Sequence, residues 1–151
     1  MQPNSSFSVQ STRQLNDKHL RLTSLNQPPG LQTDILRASP GDSRSSALKI
    51  TGDSFDRKDR VGRDEDDDFY RFDLSKTREI KITVENREGI FGPDLRFRLL
   101  KSNGNQITSR EVQQTEDESV TRELKKGTYY IKVESDGESV PYRLRYKSSS
   151  P

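Results

Sequence analysis

From Asp68 to Lys147 the apolar residues keep falling at every second position, in stretches of about seven residues separated by polar turns. Tyr70, Phe72 and Leu74 alternate with Phe69, Arg71 and Asp73, and Ile80, Ile82 and Val84 with Lys81 and Thr83. Leu95, Phe97 and Leu99 alternate with Arg96 and Arg98, Tyr129, Ile131 and Val133 with Tyr130 and Lys132, and Tyr142, Leu144 and Tyr146 with Arg143 and Arg145. Successive side chains of an extended chain point to opposite faces, so each stretch is a strand with one apolar and one wet face. No helical pattern interrupts them. Such strands must bury their apolar faces against a second sheet, which predicts an all-β, antiparallel β-sandwich of seven or eight strands.

The strands are expected at Asp68–Leu74, Glu79–Glu85, Asp94–Lys101, Gln106–Ser109, Ser119–Leu124, Thr128–Glu134 and Val140–Lys147. Leu48 and Ile50 begin the alternation. Residues Gly52 to Arg63 read as a charged connection with a bent strand around Ser54–Asp56. Ser102-Asn103-Gly104-Asn105 is a hairpin turn, because Asn-Gly readily takes positive φ.

The chain is 27% hydrophobic and 33% charged, too little apolar surface to pack all of its 151 residues. The deficit lies in residues 1–45, rich in Ser, Gln, Asn and Pro, which read as a flexible tail with at most a weak helix at Ser11–Leu25. The sandwich is expected at residues 46–147, with 148–151 as a frayed terminus. Arg13, Lys18, Arg21, Arg37 and Arg44 outnumber Asp17, Asp34 and Asp42 in the tail, so the net charge of +2 belongs there and the sandwich is neutral. With no cysteine there is no disulfide framework, thiolate metal site or thiol nucleophile. No run approaches the roughly 18 apolar residues of a membrane-spanning helix. The start of the chain has no signal-peptide pattern, which fits a protein not exported by that route, a mature form or a fragment given a new Met.

Five acidic residues, Asp64, Glu65, Asp66, Asp67 and Asp68, lead into the first strong strand. Adjacent like charges repel, and a cation relieves the repulsion. Calcium takes six to eight oxygens and suits such a loop, with Asp53 and Asp56 as further candidate donors. The competing reading is a solvated loop neutralised by Arg57, Lys58, Arg60 and Arg63.

Val61-Gly62 followed by DEDDDFYRFDL, then PDLRFRLLKSNGNQI, ESVTREL, KKGTYYIKV and PYRLRY resembles, in order and spacing, the bacterial pre-peptidase C-terminal domain, over roughly Ala47 to Lys147. That family is a jelly-roll-like β-sandwich appended to secreted peptidases and related to collagenase collagen-binding domains. The resemblance implies a calcium site where the acidic loop meets the strand. Asp68 and Glu65, the latter replacing the family's Asp, match its two positions, and Asp94 matches an Asp common at the start of a later strand. The acidic cluster and the resemblance together give the candidate metal set Asp64, Glu65, Asp67, Asp68 and Asp94. Collagen-binding relatives carry an aromatic residue where this chain has Glu134.

The outward faces carry Arg71, Lys81, Arg96, Arg98, Lys132, Arg143 and Arg145. On one sheet they would form a basic stripe for an anionic polymer, polysaccharide before nucleic acid. Interleaved Asp73, Glu79, Glu85, Glu123 and Glu134 favour cross-strand ion pairing instead. The five tyrosines read as core or rim. The one histidine, His19, lies in the tail, and no nucleophile elbow, phosphate loop or HExxH pattern is present. The chain therefore reads as a non-catalytic accessory or binding domain of a secreted, surface or periplasmic protein. Its implied partners are a linked or neighbouring peptidase or surface protein and a polysaccharide or protein ligand.

Overall fold

Alternating side chains become alternating burial. In a computed structural model that describes residues 39–62 and 67–151, nine strands make two sheets. They are β1 (Leu48–Lys49), β2 (Ser54–Val61), β3 (Asp67–Leu74), β4 (Arg78–Asn86), β5 (Leu95–Lys101), β6 (Gln106–Val112), β7 (Asp117–Leu124), β8 (Gly127–Ser135) and β9 (Val140–Ser149). One sheet is ordered β1-β3-β8-β5-β6 and the other β2-β9-β4-β7. The sheets close face to face over Tyr70, Phe72, Ile80, Ile82, Val84, Leu95, Phe97, Leu99, Ile131, Val133, Tyr142, Leu144 and Tyr146, the residues that alternation assigns to the inner faces. Each such aliphatic or aromatic side chain contributes about 1.5–3 kcal/mol by leaving water. Tyr129 is half-buried and stacks on Phe72 at 5.6 Å between ring centroids.

Four features depart from the sequence reading. β1 pairs parallel to β3, so the sandwich is not wholly antiparallel. β2 is a full strand of eight residues, paired with β9 from Ser54 to Val61, where a charged connection with a short bend was expected. Its inward positions are Phe55, Arg57, Asp59 and Val61, and the Arg57 guanidinium meets the Asp59 carboxylate at 2.7 Å. An ion pair on the inner side replaces apolar residues there and masks the alternation. Residues 39–45, read as tail, lie against the first sheet: Pro40 is buried, Phe69 N–H donates to the Gly41 carbonyl at 2.9 Å, and Arg44 donates to the Ser102 carbonyl at 2.8 Å. Ser148 and Ser149, read as frayed, belong to β9, and Ser148 N–H donates to the Asp53 carbonyl at 2.8 Å. The remaining tail, with the weak helix expected at Ser11–Leu25 and His19, lies outside the described residues.

Two glycines are set by geometry. Gly104 completes the β5–β6 hairpin at φ 89°, with Lys101 N–H bonded to the Asn105 carbonyl at 2.9 Å. Gly62 has φ 94° at the end of β2, and a Cβ there would lie 2.1 Å from Ser135 Oγ and 2.2 Å from the Glu138 carbonyl oxygen. The β8–β9 turn thus rests directly on the backbone that leads into the acidic run. No helix among the described residues is long and apolar enough to cross a membrane.

Candidate functional site

Strand pairing brings the start of β3, the end of β8 and the start of β5 to one end of the first sheet. Asp67 faces Glu134, and Leu95 faces Ser135. The acidic run enters here. Asp64 and Glu65 lie outside the described residues. Asp67 and Asp68, being neighbours on a strand, point to opposite faces. Asp67 turns outward and meets Lys132 Nζ at 3.0 Å. Asp68 turns inward, is 2% exposed, and accepts a hydrogen bond from the Tyr142 hydroxyl.

Asp94 stands just before β5, and one of its carboxylate oxygens, Oδ1, is buried without a hydrogen-bond partner. Strand β8 separates β3 from β5 and Asp94 lies two residues beyond the register of Asp67, so their backbones are about 12 Å apart. Among the described residues no three acidic or histidine side chains gather into a cation cage. What fits a hard cation is the orphaned Asp94 oxygen at the end where the acid run enters. Asp53 and Asp56 do not belong to this end. They lie toward the far end of β2, about 17–27 Å along the strand from Val61, with Asp53 bonded to Arg78 and Asp56 held by Arg143 at 2.8 and 2.5 Å.

Behind Asp68 a polar chain crosses the core. The Tyr142 proton goes to Asp68, so the Tyr70 hydroxyl, 2.5 Å from that of Tyr142, donates to the Tyr142 oxygen. Both rings are fully buried. Burial pushes both phenols well above the ordinary value of 10.0, and the negative charge of Asp68 adds to the shift. The β4–β5 connection is clamped by Asn86, 1% exposed, whose side-chain amide donates to the Pro93 and Val112 carbonyls at 3.1 and 3.3 Å and accepts from Glu88 N–H at 2.9 Å. This clamp, on the residue before Asp94, had no sequence signal beyond an Asn ending an apolar strand.

The basic residues of the outward faces divide between the two sheets. Arg71, Arg96, Arg98 and Lys132 lie on the first and are paired. Glu134 forms ion pairs with Lys132 at 2.6 Å and Arg98 at 2.7 Å, and Arg71 meets Asp73 at 3.0 Å. Burial alone would raise the Glu134 carboxyl, but the bond and charge of Lys132, with the charge of Arg98, hold it below its ordinary value. Lys132 is raised in turn, the bonds to Glu134 and Asp67 outweighing its burial. Ion pairing is thus the rule on this face, both along a strand and across strands, as in Arg98–Glu134 and Lys132–Asp67. Lys81, Arg143 and Arg145 lie on the second sheet, with Lys147, which the sequence reading omitted although alternation puts it on the same face as Arg143 and Arg145.

The family model for the bacterial pre-peptidase C-terminal domain matches residues 66–135, from the last residues of the acid run through the end of β8. This segment, a little under half of the chain, is similar to that family. The pre-peptidase C-terminal domain of the Bacillus anthracis collagenase superposes with a TM-score of 0.56, at 22% identity, over 66% of this chain and 93% of that one. That likeness reaches beyond the matched segment and shows the same sandwich fold. The mitogen derived from Yersinia pseudotuberculosis aligns at 10% identity and TM-score 0.49, over 64% of this chain and 86% of that one. The periplasmic inhibitor of g-type lysozyme from Aeromonas hydrophila aligns at 14% and 0.44, over 68% and 95%. No curated protein matches in sequence.

Proposed function

We propose that this chain is a pre-peptidase C-terminal domain serving as a non-catalytic accessory module, working outside the cell or in the periplasm beside a peptidase or surface protein, with calcium bound at its acidic end. The family match over residues 66–135 carries the reading, because pre-peptidase C-terminal domains serve as accessory domains of other proteins. Calcium is supported by the run Asp64–Asp68 and by the buried, unpartnered Oδ1 of Asp94 at the same end of the sheet. Asp64, Glu65 and Asp94 would supply oxygens, with Asp68 anchoring the loop from inside through Tyr142. Bound calcium would neutralise the run and tie the loop to the start of β5. Calorimetric titration of the full chain with calcium chloride tests this. Saturable binding that weakens in Asp94→Asn is the expected result, and no heat of binding at millimolar calcium contradicts it.

A further inference from the structure

The outer face of the β2-β9-β4-β7 sheet contains a groove of 160 Å³ lined by Lys81, Thr83, Arg145 and Lys147. Its composition is unusual for this protein. Lys81 of β4 sits directly opposite Lys147 of β9, and like charges placed so across two strands repel. Among the described residues neither ammonium has an acidic group within 4.0 Å. One rung away Arg145 reaches Glu85 and Asp117 only at 3.9 and 3.7 Å, and its Nε–H is buried without a hydrogen-bond partner. By contrast the neighbouring Arg143 on the same strand is neutralised by a two-point bond to Asp56. Hydroxyl groups flank the cations: Thr83 and Ser119 are bonded to each other at 2.7 Å, and Thr121 is paired with Lys81.

We propose that this groove binds the carboxylate or sulfate groups of an acidic polysaccharide. Three cations line a space large enough for one such group, and the hydroxyls around it suit sugar oxygens. The boundaries of the patch select the polymer. Glu79 and Glu123 face each other on the rung beyond Lys81, Glu85 and Asp117 lie on the rung beyond Arg145, and Asp56 of β2 sits directly opposite Arg145 but is held by Arg143. The positive zone therefore spans two rungs of the face, about 7 Å along the strands. A nucleic acid would press its next phosphates onto these carboxylates and would find no aromatic side chain at the outward positions of β4, β7 or β9 on which to stack a base. A glycan carrying one charge per sugar or per disaccharide has neutral stretches where this face has hydroxyls and acids. The site lies on the opposite sheet from Asp67 and Asp94 and is independent of calcium.

The test measures binding of the full chain, in EDTA, to polygalacturonate, dextran sulfate, neutral dextran, inorganic sulfate and a single-stranded DNA oligonucleotide at stepped salt concentrations. Wild type, the double variant Lys81→Gln/Lys147→Gln, and Lys58→Gln, an exposed cation on the same sheet outside the groove, are compared. One or both acidic polysaccharides should bind, neutral dextran should not, and DNA should bind more weakly. The double variant should lose about tenfold in affinity and flatten the salt dependence by roughly two counterions, while Lys58→Gln stays within about twofold of wild type and all three proteins melt alike or the double variant melts higher. Equal losses in the double variant and Lys58→Gln, tighter binding of DNA, binding of inorganic sulfate as strong as of polymer, or no polysaccharide binding at all would overturn the assignment.

Discussion

The hydroxyls of Tyr70 on β3 and Tyr142 on β9 meet at 2.5 Å across the middle of the sandwich, and the chain they form ends on the buried carboxylate of Asp68. The two sheets are thereby joined by a directed polar contact as well as by apolar packing. It ends on the last residue of the acid run.

The order of the chain sets the cost of breaking it. Tyr142→Phe removes the donor to a buried carboxylate and the acceptor of a buried hydroxyl together, and should destabilise by about 2–3 kcal/mol. Tyr70→Phe removes only the terminal donor and should cost about 1 kcal/mol. Urea unfolding of the two variants checks the ranking, and a Tyr70→Phe loss equal to or larger than that of Tyr142→Phe contradicts the direction of the bonds.

The same two phenols set a limit at high pH. Their folded values lie above the ordinary 10.0 because burial disfavours the phenolate. The stability they contribute is complete below pH 10 and is lost as the pH rises beyond it toward the folded values. Followed by phenolate absorbance, Tyr70 and Tyr142 should ionise only together with loss of the far-ultraviolet β signal. Smooth ionisation of all five tyrosines near pH 10 in a folded protein would contradict the buried chain.

Glu134 acts in the opposite pH range. Its folded carboxyl lies below its ordinary 4.5, so its contribution is present above that value and is lost as the pH falls through the folded one. Glu134→Gln should lower the melting temperature at pH 7, leaving Lys132 and Arg98 with less countercharge, and the gap to wild type should narrow as the pH drops toward 3. A gap that is constant from pH 7 to 3 would remove Glu134 from the network.

How far the sequence could be read follows from what side chains do along one strand and what they do between strands. Strands β3, β4, β5, β8 and β9 were legible because their inward positions are apolar at period two, as in Ile80, Ile82 and Val84. β2 was not, because Arg57 and Asp59 occupy two of its four inward positions and satisfy each other. Alternation places Tyr70 and Tyr142 inside, yet which hydroxyl meets which depends on the facing of two sheets, which no local pattern encodes. The outward direction of each arginine and lysine was legible for the same reason. Their division between two sheets, and the pairing of Lys81 with Lys147, depend on strand order. At the acidic end, charge clustering pointed to the loop, while the orphaned oxygen of Asp94 and the Asn86 clamp beside it depend on tertiary contacts.

Arg57 and Asp59 offer a check on β2. Asp59→Ala leaves a buried guanidinium without its countercharge and should cost about 2–3 kcal/mol. The double change Arg57→Leu/Asp59→Leu, which restores apolar inward positions, should cost less than the single one in the same denaturant experiment. A double variant less stable than Asp59→Ala would mean that the pair contributes more than it costs to bury.

The acidic end is the centre of the functional account, and thermal melting of the full chain in EDTA, in millimolar calcium and in millimolar magnesium tests it most directly. Calcium about a hundredfold above its Kd stabilises the folded state by roughly 2.7 kcal/mol, a rise of several degrees for a domain of this size. Magnesium, which demands tighter octahedral geometry and gives up water reluctantly, should do much less. Asp94→Asn should melt near wild type in EDTA and lose most of the calcium-dependent rise. Wild-type curves that coincide in EDTA and in calcium would contradict the account and leave Asp64–Asp68 as a solvated acidic loop.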